Sequence, residues 1–320
     1  MIHVERRSSP PSLNSPPAED ARIEAELLLG PPISDRKQKH HSFFPLTTKL
    51  AGFSKALSDA FNGKCAFCES YVSIDEPSCM DRYRPKSGAI GQDGTASPDH
   101  YWWLAYEWSN LYLVCLACNK IRGDRFPITG KRADPKVTGE ELLKEGPLLL
   151  DPCHDFPEDH LVFDEKGMVA SDSQQGRTTI ETLALNRTPL IRARAEVGEE
   201  LKTKWSAIVA KGSRGFTPEL YQELANEKLS FLGFRRQCLH HWSSDLVVTK
   251  PRMRKHVEPF LSFRTGVTQK ITKPSAKAEK TVVKQHSSAL SSMQFRGRNT
   301  RSRRNLRRTP TISNLALSSA

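Results

Sequence analysis

Two stretches of the chain, KCAFCES (64–70) and VCLACNK (114–120), each contain two cysteines separated by two residues. A Cys-x-x-Cys turn directs both thiolates toward one ion at about 2.3 Å, and two such turns complete a tetrahedron around it. Four protein ligands leave no open coordination position, so the pattern predicts a structural zinc site. The alternative is a set of four buried or redox-active thiols, as in a redox protein. The candidate zinc ligands are Cys65, Cys68, Cys115 and Cys118.

The remaining cysteines and the apolar content bear on the compartment. The 320-residue chain has no run of 18 apolar residues, so we expect no membrane-spanning helix. Its first twenty residues lack the apolar segment of a secretory signal. We therefore expect a cytoplasmic protein, in which seven cysteines favour metal ligands and buried thiols over disulfides. Cys79, Cys153 and Cys238 lack ligand spacing and are predicted to be ordinary thiols.

The net charge of +12 is concentrated near the end of the sequence. Residues 265–320 contain twelve Lys or Arg and one acid, Glu279, so the rest of the chain is close to neutral. Because this tail has no apolar periodicity and cannot bury a core, we expect it to be disordered. Counterion release would let it bind nucleic-acid phosphates. A solvated tail without a specific role is the alternative.

Composition and apolar periodicity predict five segments. Between Thr47 and Phe61, apolar residues recur at spacings of three and four, which predicts an amphipathic helix that ends at Asn62-Gly63. The first twenty residues are rich in Ser and Pro and are expected to be unstructured. The segments are a disordered N-terminus (1–20), a helical segment (21–62), a domain with both cysteine pairs (63–130), a mainly helical lobe (131–264) and the basic disordered tail (265–320).

The residues between and after the cysteine pairs carry a family resemblance. The series CAFCE…DRYRPK…YWWLAYEWSNLYLVCLACNKIRGDRFP resembles the HNH endonucleases, which have a ββα-metal core. With PLLLDPC, HLVF and TIETLALNR, it resembles the HNH nucleases of retron-linked and ATPase-paired bacterial anti-phage systems. The resemblance covers about residues 45–200 and includes several separated motifs in one order. It implies an α+β fold, with a zinc-stabilised ββα core at 63–130 and a mainly helical lobe after it.

The resemblance also implies roles for three residues. Asp81 matches the acidic residue that helps hold a catalytic divalent cation. Asn110 matches the central residue that braces the loop carrying the base. Asn119 matches the last residue of the motif, a second ligand of the cation. Oxygen ligands of this kind suit Mg²⁺ or Mn²⁺, which would stabilise the charge on the phosphate and on the leaving oxygen.

Arg82 departs from the family pattern, which places a histidine there as the general base. A guanidinium group stays charged and accepts no proton, so Arg82 cannot take that role. It could instead bind the scissile phosphate through a bidentate contact. His100 is the nearest histidine in the sequence and is a candidate base, with solvent hydroxide as another. A zinc-stabilised nucleic-acid-binding or adaptor protein without catalytic activity is the alternative that Arg82 favours.

Four basic residues near these motifs are candidate phosphate ligands, although exposed surface positions would explain them as well. They are Arg84, Lys86, Lys120 and Arg122. The leading hypothesis is a metal-dependent HNH endonuclease of anti-phage defence that hydrolyses DNA, with RNA as the alternative substrate. The resemblance implies an AAA-type ATPase as a partner. An aromatic cluster at 102–108 is expected to pack in the core rather than stack on bases.

Overall fold

The computed structural model describes residues 1–36, 42–73, 80–98, 100–212 and 217–248. The predicted tail (265–320), the end of the predicted helical lobe and Cys79 lie outside these residues. None of the helices in the described part of the chain is long and apolar enough to cross a lipid bilayer.

The described elements come in groups along the chain, namely three helices, four short strands, one helix, two short strands and four helices, and short 3₁₀ turns connect several of them. The helices are α1 (Pro16–Leu29), α2 (Leu46–Lys49), α3 (Phe53–Ala60), α4 (Leu116–Arg122), α5 (Gln174–Thr182), α6 (Thr188–Ala210), α7 (Pro218–Ala225) and α8 (Leu232–Val248). The strands are β1 (Met80–Arg82), β2 (Gly88–Ile90), β3 (Ala96–Pro98), β4 (Leu111–Leu113), β5 (Val162–Phe163) and β6 (Val169–Ala170).

The strands form antiparallel pairs, and the pair β1–β4 positions the candidate site. Asp81 lies opposite Tyr112 in this pair, and Arg82 lies opposite Leu111. Helix α4 begins three residues after β4 ends. The other pairs are β2–β3 and β5–β6. The fold is therefore a mixture of helices with small sheets, as the sequence predicts at this coarser level.

The core beside β4 is built from the apolar face predicted for residues 47–61. Leu50, Phe53, Leu57 and Phe61 are all buried, and the Phe61 ring lies 5.5 Å from the ring of Tyr112. The prediction of one continuous helix is wrong, however, because α2 and α3 are separate. Leu50 leaves the helical conformation after α2, and Gly52, the N-cap residue of α3, has a left-handed φ of +71°.

The N-terminal segment corrects the prediction of disorder for residues 1–20. Met1 and Ile2 are buried, and residues 16–20 already belong to α1. Arg6 donates hydrogen bonds to the carbonyls of Trp108 (2.7 Å) and Leu111 (3.0 Å), and its guanidinium group covers the Tyr112 ring. The segment is thus ordered by contacts with distant residues, which its Ser/Pro-rich composition does not reveal.

The segment that follows residue 130 packs directly on the first half of the chain. Tyr83 hydroxyl donates to the Leu149 carbonyl, and Tyr112 hydroxyl donates to Asp151 Oδ1 at 2.6 Å. In the described residues of the predicted lobe, α-helices occupy 174–248, whereas 131–173 holds turns and the β5–β6 pair. The lobe is therefore helical only in its later part.

Candidate functional site

The four predicted zinc ligands come together in the structure. Their Sγ atoms all lie within 4.8 Å of one another, and Cys68 Sγ lies 3.7 Å from Cys115 Sγ. Four sulfurs at about 2.3 Å from one zinc ion are separated by roughly 3.8 Å in a tetrahedron. Within the described residues, these cysteines are the one group of three or more His, Cys, Asp or Glu side chains close enough to share an ion. Their donor set fits zinc.

Tight backbone turns hold each cysteine pair. Around the first pair, Cys65 N donates to the Ser70 carbonyl at 2.8 Å, and Glu69 N donates to the Cys65 carbonyl at 2.9 Å. Cys115 is the N-cap residue of α4, where its Sγ lies 3.5 Å from Cys118 N. The cysteine cluster therefore ties the turn at 65–70 to the start of α4, next to the β1–β4 pair.

Asp81 lies nearly buried on β1, and one of its carboxylate oxygens accepts no hydrogen bond. Its Oδ1 accepts a hydrogen bond from Arg82 N at 2.7 Å. Its Oδ2 lies 3.0 Å from Arg122 Nη2 in an ion pair, but without the orientation of a hydrogen bond. Burial raises the pKa of Asp81, and the nearby charges of Arg122, Arg82 and Lys86 oppose that rise. Three basic side chains therefore surround this carboxylate.

Arg122 is a structural residue rather than the predicted phosphate ligand. It is 1% exposed, and it donates to the carbonyls of Arg82 (2.6 Å) and Tyr83 (2.8 Å). These bonds join α4 to the end of β1. A side chain with this burial cannot reach a phosphate in solvent, which corrects the sequence-based expectation.

Arg84 is also buried, and its guanidinium group is bonded to other groups of the protein. Its Nε donates to Glu145 Oε2 at 3.0 Å, and its Nη2 donates to the Leu142 carbonyl at 3.1 Å. Glu145 is 1% exposed and accepts two more hydrogen bonds, from Tyr101 hydroxyl at 2.6 Å and from Ala133 N at 2.7 Å. The predicted phosphate contact of Arg84 is therefore replaced by a buried ion pair.

Arg82, at the position where the resemblance implies a general base, has its side chain turned into the protein. It is buried, and its Nε donates to the Ala105 carbonyl at 2.9 Å. Burial lowers the pKa of Arg82 to about 10, so the guanidinium group is still protonated at neutral pH. It can add positive charge to the site but cannot accept a proton from water.

The candidate base His100 lies in a different environment. Its Nε2 is 3.0 Å from the Ala133 carbonyl, and its ring packs against Tyr101 and Trp103. A carbonyl oxygen only accepts hydrogen bonds, so Nε2 carries the proton and Nδ1 is the unprotonated nitrogen. Burial lowers the pKa of His100, which favours the neutral ring.

Asn119, Lys86 and Lys120 remain accessible to different degrees. Asn119 is half-buried on α4, directly after the last cysteine, and Lys120 beside it is exposed. Lys86 is half-buried, and its Nζ lies 4.8 Å from the centre of the Phe43 ring. Burial lowers the pKa of Lys86. Of the four predicted phosphate ligands, these two lysines are the pair that solvent reaches.

Asn110 braces the segment after β1 through three hydrogen bonds. Its Oδ1 accepts from Arg84 N at 2.7 Å, and its Nδ2 donates to the carbonyls of Arg84 and Leu104, both at 3.0 Å. The side chain is buried, so these three bonds replace contacts with water.

Replacing Asn110 with alanine is expected to destabilise the protein by about 1–3 kcal/mol, because buried Arg84 backbone groups lose their partners. Chemical denaturation of the zinc-loaded protein measures the change. Asn14→Ala, at an exposed asparagine, is the control and should shift the free energy of unfolding by no more than about 0.5 kcal/mol. Equal stability of the two variants would contradict the bracing role.

Sequence reasoning missed two residues of this region. Glu145 partners Arg84 across 61 positions, and Arg187 donates to Cys118 Sγ across 69 positions. Neither residue lies in a spacing pattern with its partner. The one signal in the sequence for Glu145 is that this acidic residue is followed by glycine and a run of leucines in KEGPLLL.

Comparison with known proteins gives two relatives from Bacillus mycoides strain KBAB4. The chain is 34% identical to Septu protein PtuA over 211 residues, which are 66% of this chain and 29% of that protein. It is 32% identical to Septu protein PtuB over 209 residues, which are 64% of this chain and 69% of that protein. The chain thus aligns with less than a third of PtuA. No protein-family model matches the sequence.

Proposed function

The chain belongs to the Septu PtuB family, and from this premise we propose that it is an anti-phage defence protein that cleaves DNA as a metal-dependent HNH endonuclease. The observation that carries the nuclease proposal is the setting of Asp81. This acid lies on β1, paired with β4, and the cysteine cluster fixes the start of the following helix. Asn119 is on that helix, and Asn110 braces the segment after Asp81.

The charges around Asp81 support a phosphodiester substrate. Arg82, Arg122 and Lys86 all act on this carboxylate, so the site has an excess of positive charge. Phosphates are attracted to such a site. Lys86 and Lys120 are the side chains proposed to contact them, since Arg84 and Arg122 are buried.

The chemistry of Asp81 fits the implied divalent cation. Its Oδ2 is buried without a hydrogen bond, which leaves a lone pair for a metal ion. Asp81 and Asn119 would hold Mg²⁺ or Mn²⁺, ions that keep several waters and bind phosphate oxygens. When bound, the ion would stabilise charge on the phosphate and on the leaving oxygen. The neighbouring basic side chains favour binding of the cation together with a phosphate rather than alone.

Arg82 is proposed to contribute a positive charge to the reaction, not a proton acceptor. Its guanidinium group is proposed to stabilise the negative charge that develops on the phosphate. The proton of the attacking water must then pass to another acceptor. Nδ1 of His100 and solvent hydroxide are the candidates, and the first requires that His100 lie within reach of the water.

The proposed partner is an ATPase of the PtuA type. The chain aligns with both Septu protein PtuA and Septu protein PtuB, and the family resemblance implies an AAA-type ATPase as the partner. The near neutrality of residues 1–264 implies weak intrinsic affinity for DNA, which a partner or the basic tail would supplement.

Phage protection tests the proposed function. Bacteria that express this chain with a PtuA-type ATPase are challenged with phage, and the efficiency of plating is measured. We expect Asp81→Ala to abolish protection and Asp20→Ala, at an exposed position of α1, to preserve it at equal protein levels. Protection by Asp81→Ala equal to that of the wild type would refute the nuclease proposal.

Arg82 favours a second candidate function, a zinc-stabilised nucleic-acid-binding or adaptor protein without catalytic activity. Under this alternative, protection depends on the cysteine cluster but not on Asp81. Zinc is then the protein's one required metal. DNA cleavage by Arg82→His, with an inert wild type, would indicate that the site is intact except for its base.

A further inference from the structure

The segment TIETLALNR (179–187), which contributes nothing to the proposed nuclease site, lies against the cysteine cluster. Arg187 Nη2 donates to Cys118 Sγ at 3.4 Å. Arg187 Nη1 donates to the carbonyls of Leu183 (3.2 Å) and Ala184 (3.3 Å), just after α5. The guanidinium group therefore joins the end of α5 to one of the predicted zinc ligands.

Other contacts fix this segment from both sides. Thr179 Oγ1 accepts from Leu150 N at 2.8 Å. Asn186 pairs with the backbone of Val169, accepting from its N and donating to its carbonyl, both at 2.8 Å. Arg125, which follows α4, donates to the Thr182 carbonyl at 2.7 Å. These bonds hold Arg187 in place without any contribution from its bond to sulfur.

The negative charge of a tetrathiolate zinc site makes the contact between Arg187 and Cys118 stabilising. Four thiolates and one Zn²⁺ together carry a charge of about −2, which is costly to bury without compensation. A guanidinium group beside one sulfur offsets part of that charge, and its N–H bond lowers the tendency of the sulfur to leave the metal or attack an electrophile. Outer-sphere partners of this kind typically change metal affinity by about 10–100-fold.

We propose that Arg187 is an outer-sphere partner of the zinc centre, so that the segment 179–187 completes the site that the two cysteine pairs begin. The zinc centre then includes residues from both halves of the chain. Its stability depends on how α5 and α6 pack against the cysteine cluster. This inference concerns zinc retention and does not rest on the proposed nuclease activity.

The test is zinc affinity and zinc release in the full chain. Competition with a chromogenic chelator gives the affinity, and alkylation by N-ethylmaleimide gives the release rate. In that reaction a cysteine sulfur bonds to the maleimide carbon, its bond to zinc breaks, and the chelator reports the free ion. The variants are Arg187→Ala and Arg187→Lys, with Arg192→Ala on the exposed side of α6 as the matched control.

We expect Arg187→Ala to weaken zinc affinity by about 10-fold or more and to accelerate release. Arg187→Lys should fall between this variant and the wild type, because it keeps the charge but loses the guanidinium geometry. Arg192→Ala should match the wild type. Wild-type affinity and release in Arg187→Ala would overturn the proposal. If that variant does not fold, wild-type zinc affinity and release in Arg187→Lys would overturn it.

Discussion

Replacing Cys118 with serine is expected to remove zinc from the protein and to prevent the native fold. A structural zinc ion contributes roughly 10–16 kcal/mol in small zinc domains at neutral pH. Typical domains have only about 5–15 kcal/mol of total stability. Cys118 also anchors α4 beside the candidate site, so loss of the ion should disorganise α4 and the β1–β4 pair. Metal analysis and near-ultraviolet circular dichroism of the purified variant measure both effects.

Cys153→Ser is the matched control for this prediction, because Cys153 lies outside the cysteine cluster. The control should keep about one zinc ion per chain and the wild-type spectrum. A folded Cys118→Ser variant with no zinc in either it or the wild type would contradict the zinc assignment. That outcome would favour four reduced thiols, or the redox protein considered from the sequence.

Replacing Glu145 with alanine is expected to destabilise the protein by about 3–5 kcal/mol, the usual cost of removing one partner from a buried ion pair. Glu145 is 1% exposed, and its loss leaves the Arg84 charge buried without a counter-ion. Tyr101 hydroxyl and Ala133 N lose their acceptor at the same time. The melting temperature should fall by roughly 6–20 °C for a chain of this size.

Glu141→Ala serves as the control, because Glu141 lies in the same 3₁₀ helix (Gly139–Glu145) as Glu145. Glu141 is exposed and pairs with Lys144 at 2.9 Å, a surface ion pair that contributes little. Its replacement should change the free energy of unfolding by less than about 0.5 kcal/mol. A difference of only about 2–3 °C between the melting temperatures of Glu145→Ala and Glu141→Ala would be well below the drop expected for a lost buried ion pair. That result would mean that the pair between Glu145 and Arg84 does not stabilise the fold as described.

The parts of the fold that sequence predicts well are those encoded by local patterns. The spacing of Cys65 and Cys68 predicts that their thiolates converge. The spacing of Leu50, Phe53, Leu57 and Phe61 predicts a buried apolar face. Each of these features depends on neighbours within a few residues.

The parts that sequence does not reveal depend on contacts between distant residues. Arg84 and Arg122 look like solvent-exposed phosphate ligands in DRYRPK and NKIR, but distant partners bury both side chains. The Ser/Pro-rich N-terminus looks unstructured until the contacts of Arg6 with the aromatic core are known. Burial of a charged group requires a specific partner, and local composition does not identify that partner.

The environment of Arg82 adds to what its residue type indicates. The residue type alone excludes a role as general base. The hydrogen bond from Nε to the Ala105 carbonyl adds that the side chain is integrated into the core. A buried arginine of this kind places a permanent positive charge beside Asp81, and any nuclease mechanism for this chain has to operate with that charge in place.

Cleavage of a supercoiled plasmid by the zinc-loaded protein tests the nuclease proposal most directly. The reaction is run with Mg²⁺, with Mn²⁺ and without an added divalent cation, in the presence and absence of a PtuA-type ATPase. We expect nicking that requires Mg²⁺ or Mn²⁺ and that falls by about 100-fold or more in Asp81→Ala, as is typical when a group that stabilises the transition state is removed. A wild-type protein that is inert under every condition, or an Asp81→Ala variant that cleaves as fast as the wild type, would contradict the account.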